Sequence, residues 1–324
     1  MKFPSFFTIG DTEAKRGRLE PAVPDFEDED FELHAEPPAN EAGQHAPPTG
    51  TIGAILVAAG RLGADDALRV VQEQAKVDAP FGETAVRLGL VSESDVQFAL
   101  SQQFALPCLP VESEAIAAEV VAAFLPGSEL VERLRILRGQ IAMRAVQRTP
   151  PLRCVALISH DRGCGRSYIA ANLATVFAQL GTRTLLIDAN FHHPRQHELF
   201  RLSNRNGLSS VLAGRTDLTA VRPIPGLPGL AVLPAGPKPP NPDDLLARAA
   251  LGQLLRRVER EFEVILVDTP AWSQGSAACT VAAAAGAAVQ IVQPGRTGAS
   301  EARLLAHEVG GAGGELIGVV MNRP

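Results

Sequence analysis

The chemistry this chain can offer sits where apolar runs end in glycine or aspartate. One run stops at Ser159 and continues as His160-Asp161-Arg162-Gly163-Cys164-Gly165-Arg166-Ser167-Tyr168, followed by a helical stretch. Glycines at 163 and 165 let backbone N–H groups close around phosphate oxygens. The helix start adds its positive end, and Ser167 stands where a hydroxyl would ligate Mg²⁺. Against the phosphate-loop pattern GxxxxGK[ST], His160 replaces the first glycine and Arg166 the lysine. Arginine keeps the charge and can fork onto phosphate, yet it is bulkier and stiffer than a lysine ammonium. These departures favour binding over turnover.

Two more runs, Leu185-Leu186-Ile187-Asp188 and Val264-Ile265-Leu266-Val267-Asp268-Thr269-Pro270, each end in one aspartate. Carboxylates there would hold Mg²⁺ or its waters beside a triphosphate. The expected ligands are therefore ATP and Mg²⁺. Arg166, Asp188 and Asp268 are the catalytic candidates. Gly163, Cys164, Gly165, Arg166, Ser167 and Tyr168 are candidates for binding nucleotide, and Ser167, Asp188 and Asp268 for holding the metal.

Such groups converge only if strands place them side by side. Near-continuous apolar runs at Cys154 to Ser159, Thr184 to Asp188, Leu230 to Leu233, Val264 to Asp268, Ala288 to Val292 and Leu316 to Met321 alternate with helical stretches. That pattern predicts an α/β, doubly wound, mostly parallel sheet buried on both faces, with ligands at the carboxyl ends of its strands. The expected organisation is an acidic disordered tail at 1–48, a small duplicated helical domain at 49–112, a linker at 113–127 and a P-loop NTPase domain at 128–324.

Charge is distributed unevenly. Residues 1 to 50 carry 11 acidic and 4 basic side chains, a balance of −7, against 36 and 30, or −6, for the whole chain. The first segment cannot bury enough apolar area to offset its ordering, and reads either as a solubilising tail or as an arm for a basic surface. The near-neutral remainder has no pervasive basic field, so no nucleic-acid partner is expected. The run at Ala277 to Val292 is interrupted by Thr280, Gly286 and Gln290, too short for a spanning helix. The N-terminus turns acidic before any apolar core develops, unlike a secretory signal. A cytoplasmic location is expected. Cys108, Cys154, Cys164 and Cys279 show no metal-ligand spacing and read as reduced thiols.

Shifting the chain by 29 positions superposes Gly53 on Gly82, Val57 on Val86, Gly60 on Gly89, Asp66 on Asp95 and Gln74 on Gln103. Each copy reads as a short helix ending at glycine, a capped turn and an amphipathic helix. The pattern resembles the N-terminal domain of type II secretion and pilus-assembly ATPases, whose tandem versions bind cyclic di-GMP through an arginine heading each copy. Thr51 and Pro80 stand at those heads here, which leaves no forked donor for a guanine edge or phosphate. Cyclic di-GMP is thus disfavoured and a protein-docking module preferred.

The linked motifs of residues 128–324 resemble the bacterial tyrosine kinases that regulate exopolysaccharide and capsule chain length. The carriers are the glycine loop, Leu185 to Asp188 continued to Phe200, Asn206-Gly207-Leu208-Ser209, Ala235-Gly236-Pro237-Lys238-Pro239-Pro240-Asn241-Pro242 and the final Gly318 to Arg323. Asn190 and His192 stand where that family usually has Asp and Arg. Paired with the N-terminal repeat, the glycine loop with arginine looks most like the chain-length determinant branch called EpsG. The resemblance implies a membrane polysaccharide co-polymerase as partner, peripheral association with the inner membrane through it, and Asn322 at the adenine edge. It also implies a homo-oligomeric ring through Glu132, Arg135 and Arg138, whose spacing alone reads equally as a solvated face. The family phosphorylates tyrosines in a C-terminal tail. This chain stops at Pro324 with Tyr168 as its sole tyrosine, so the expected acceptor lies on another protein. The other reading is a catalytically weak, nucleotide-sensing scaffold.

Overall fold

The computed structural model describes residues 50–323 apart from Asp78, Ala105, Glu112 and Pro150. The tail expected at 1–48 lies outside the described residues.

Two copies of a helix pair come first: α1 (Ile52–Ala58) and α2 (Ala64–Val77), then α3 (Phe81–Arg87) and α4 (Glu93–Gln103). Gly60 and Gly89, equivalent in the repeat, end the short helices with φ of 69° and 68°, the left-handed region open to glycine. The copies interlock. α1 packs on α4 and α2 on α3, and Ile55, Leu56, Leu62, Val70, Ala85, Val91 and Ala99 form one shared core. Thr51 and Pro80, the two heads, are N-cap residues of α1 and α3.

α5 (Val121–Phe124) and α6 (Glu129–Val146) lead into the sheet. Its strands are β1 (Cys154–Ile158), β2 (Thr184–Asp188), β3 (Arg222–Pro223), β4 (Leu230–Leu233), β5 (Val264–Asp268), β6 (Ala287–Val292) and β7 (Glu315–Met321). Their spatial order is β3-β4-β2-β5-β1-β6-β7, parallel throughout except for β3 against β4. All six strands read from the apolar runs are present. The two-residue β3 is too short to leave a pattern, and its proline suits an edge.

Helices cover both faces, which is why the strands are apolar without alternation. Val155 and Leu157 point into a core with α7 (Arg166–Ala178). Cys154, Ala156 and Ile158 point into the other. Between β2 and β5 lie α8 (Gln196–Leu199), α9 (Leu208–Leu212), α10 (Pro242–Leu246) and α11 (Ala249–Val258). α12 (Ala277–Ala285) and α13 (Ala299–Gly311) flank β6.

The segment 113–127, expected as a linker, is instead laid on this core. Ile116, Val120, Ala122, Ala123 and Phe124 are buried in the α7 cluster. The fully buried Asn172 of α7 fastens the segment by accepting from Ala122 N (2.9 Å) and donating to Glu119 O (3.0 Å). An asparagine in the buried middle of a helix needs such partners, because an unbonded buried amide costs a few kcal/mol. Among the described residues no helix is long and apolar enough to cross a membrane.

Candidate functional site

The carboxyl ends of β2, β5 and β1 lie side by side and bring the expected residues together. Asp188 and Asp268 are register partners. Gly163 and Gly165, with φ of 75° and 82°, turn the chain from β1 into α7. From Arg162 to Ser167 no backbone N–H donates to another described residue. Unbonded amides gathered on left-handed glycines at a helix N-terminus form an anion cradle. The Ser167 hydroxyl also makes no bond to a described residue, while its carbonyl accepts from Gln196 Nε2 (3.1 Å). A polyphosphate fits this loop, and the free hydroxyl suits a hard cation.

Arg166 is turned inward. Only 7 % exposed, it donates through Nε to Asp268 Oδ1 (3.3 Å) and through a terminal nitrogen to Ser159 Oγ. Burial pulls its pKa down while Asp268 opposes the fall. Ser159 and Asp268 supply partners in a place closed to water, and a guanidinium buried there without them would be costly. Gln196, fully buried, donates to Asp268 Oδ2 as well (2.9 Å).

Asp188 accepts three backbone N–H bonds, from Asn190 (3.0 Å), Arg195 (2.9 Å) and Gln196 (2.9 Å). It thereby shapes the turn from β2 into α8. Burial, followed by the Asp268 charge, pushes its pKa up to about 7 against the pull of those three donors. Asn190 accepts from His193 N (3.1 Å), and His192 lies 3.4 Å from Asp243.

Asn322 is 5 % exposed; its Nδ2 donates to Cys164 O (2.9 Å) and its Oδ1 has no partner among the described residues. Tyr168 is half-buried, with its hydroxyl pKa raised by burial and then by Glu119. Arg135 pairs with Glu132 on α6, and Arg138 donates to Val176 O of α7 (2.9 Å).

Ser159 and Gln196 escape a sequence reading, since a serine after a strand and a glutamine opening a helix are ordinary. A cationic rim was legible in principle, because loops at strand carboxyl ends are where ligands bind. His193 is held below its usual pKa by burial and by the charges of Arg162, His192 and Lys238. His160, Asp161 and Glu301 also cluster. Bonds within the cluster and to its neighbours account for the proximity: His160 Nδ1 lies 2.9 Å from Asp161 Oδ1, and Glu301 caps Gly298 N (2.7 Å).

No family model matches the chain. It is 32 % identical over 203 residues to tyrosine-protein kinase YwqD of Bacillus subtilis, a match covering 63 % of this chain and 85 % of that one. It is 30 % identical over 197 residues to tyrosine-protein kinase etk of Escherichia coli K12, covering 61 % of this chain but 27 % of the relative. The solved kinase domain of Escherichia coli tyrosine kinase ETK superposes with a TM-score of 0.60 at 27 % identity, covering 67 % of this chain and 81 % of that structure.

Proposed function

Because this chain belongs to the bacterial tyrosine-kinase family, we propose that it is an ATP-dependent protein tyrosine kinase or ATPase. By the likeness of its motifs, it serves exopolysaccharide or capsule chain-length control beside a membrane co-polymerase. The observation that carries the reading is the loop from Arg162 to Ser167, whose unbonded amides sit on two left-handed glycines at the head of α7. Ser167 and Asp268 would hold Mg²⁺, which supplies charge neutralisation at the phosphates. Asp188, with its raised pKa, is suited to orient or deprotonate an acceptor hydroxyl. In the transfer, the acceptor tyrosine oxygen bonds the γ-phosphorus while the bond to the bridging oxygen breaks and ADP leaves with its electrons. Tyr168 is half-buried at the head of α7, so the acceptor proposed is a tyrosine of another protein.

Purified protein incubated with γ-labelled ATP is expected to consume it only with Mg²⁺, and to label the cytoplasmic part of a co-polymerase. Absence of any Mg²⁺-dependent turnover with that partner present removes the enzyme reading. A nucleotide-sensing scaffold is the second reading, favoured by Arg166 being tied to Ser159 and Asp268. Tight ATP binding without turnover, and complementation by Asp188→Asn, would decide for it.

Assembly through α6 belongs to the same proposal. Beside Glu132, Arg135 and Arg138, this helix exposes Ile136 (61 %), Met143 (65 %) and Val146 (78 %), an apolar set that a second copy would cover. In sedimentation with Mg-ATP the wild type is expected to run as an oligomer and Ile136→Asp as a monomer. Identical sedimentation of the two removes α6 from the interface.

A further inference from the structure

The loop between β6 and α13 is fastened against the phosphate loop. Arg296 N and Thr297 N both donate to Gln293 O (3.0 and 2.9 Å), closing a turn in which Gly295 takes φ 79°. Thr297 Oγ1 donates to Asp161 Oδ2 (3.3 Å) and lies 3.6 Å from Cys164 Sγ. These contacts fix the backbone of Arg296 beside the glycine loop.

The Arg296 side chain is exposed, with no hydrogen bond or ion pair to another described residue. Its guanidinium nevertheless lies over Gly163: a Cβ built there would stand 2.8 Å from one terminal nitrogen and 3.2 Å from the central carbon. Gly163 is one of the residues whose N–H is unbonded. A forked cation with free donors, held over a cradle of free amides, therefore has one kind of neighbour missing, a polyanion.

Arg166 leaves this role open. Its guanidinium is spent on Ser159 and Asp268 beneath the loop. The positive charges of Arg162 and Lys238 that act on His193 add to the field at the same mouth.

We propose that Arg296 is the guanidinium that grips the β- and γ-phosphates of the bound nucleotide, with Arg166 bracing the loop from below. The proposal rests on the nucleotide-binding reading and adds to it the residue that selects for a polyphosphate. Arginine suits the task because its planar fork matches two phosphate oxygens at once.

Calorimetric titration of the full chain with Mg²⁺ plus ATP, ADP or AMP, for wild type, Arg296→Ala and Arg296→Lys, tests it. Arg296→Ala is expected to weaken ATP and ADP about tenfold or more, with AMP changed little and the thermal midpoint unmoved. Arg296→Lys should fall between, keeping charge without the fork. Wild-type affinity for ADP and ATP in Arg296→Ala overturns the assignment and leaves the nucleotide site standing. An equal loss for AMP overturns it too, since the contact would then not be to the β- and γ-phosphates. A wild type that binds no Mg-adenylate removes the site and the assignment together.

Discussion

Replacing Asp268 with alanine is expected to lower stability by about 3 kcal/mol, the lower end of the range for breaking a buried ion pair. The loss comes from Arg166, left 7 % exposed with its main anionic partner gone, and from Gln196 Nε2, which loses the second of its acceptors. Two effects hold the figure down. Asp188 is relieved of a like charge that raises its pKa, and it also attracts the guanidinium. Removing both partners, as in Arg166→Met with Asp268→Leu, should restore at least half the loss, because no charge is then stranded. Urea unfolding of Asp268→Ala, of Arg166→Met and Asp268→Leu singly, and of the double variant measures this directly. A single Asp268→Ala variant within about 1 kcal/mol of wild type would mean that the pair does not carry the loop.

Gly207→Ala is the second large expectation. Gly207 has extended backbone (φ −176°) that any residue adopts, so the argument is one of space. An added Cβ would lie 2.8 Å from Ala235 C and against Pro234 O and Gly236 N, all main-chain atoms with no rotamer to yield. The contact is held from both sides. Leu208 N donates to Pro234 O (2.8 Å), Ser209 N to Ala235 O (2.9 Å) and Gly236 N to Asn204 Oδ1 (2.7 Å). The expected cost is about 3 kcal/mol, the upper part of the overpacking range, with weaker nucleotide binding because the displaced loop carries Lys238. Gly139→Ala on α6 is the control. Nothing lies within 4 Å of its Cβ position, so it should be neutral or stabilising by up to about 1 kcal/mol. A thermal midpoint for Gly207→Ala matching that of Gly139→Ala would refute the steric account.

The sheet was legible because burial on both faces writes itself as unbroken apolar runs, and the loop because left-handed turns at 163 and 165 call for glycine. Strand-end aspartates could be placed beside the loop, since sheet order is constrained when helices cover both faces. Where their side chains turn could not be read. The inward path of Arg166 depends on an aspartate 102 positions away, and the seat of Arg296 on a turn closed by Gln293 O and Thr297. Residues 113–127 misled for a similar reason. Its apolar residues are half of them alanine and follow no clear period, so the segment reads as a spacer, and the polar Asn172 of α7 and Gln179 at its C-cap are among the residues that show where it is held.

The crosswise arrangement of the N-terminal repeat has a consequence for modular transfer. With α1 resting on α4 and α2 on α3, a single copy has no opposite wall to close its interior. The smallest piece that can be cut out and grafted onto another protein is therefore the complete duplex. Sequence drift in one half must be matched across the seam, as at Gly53 of α1 facing Phe81 of α3.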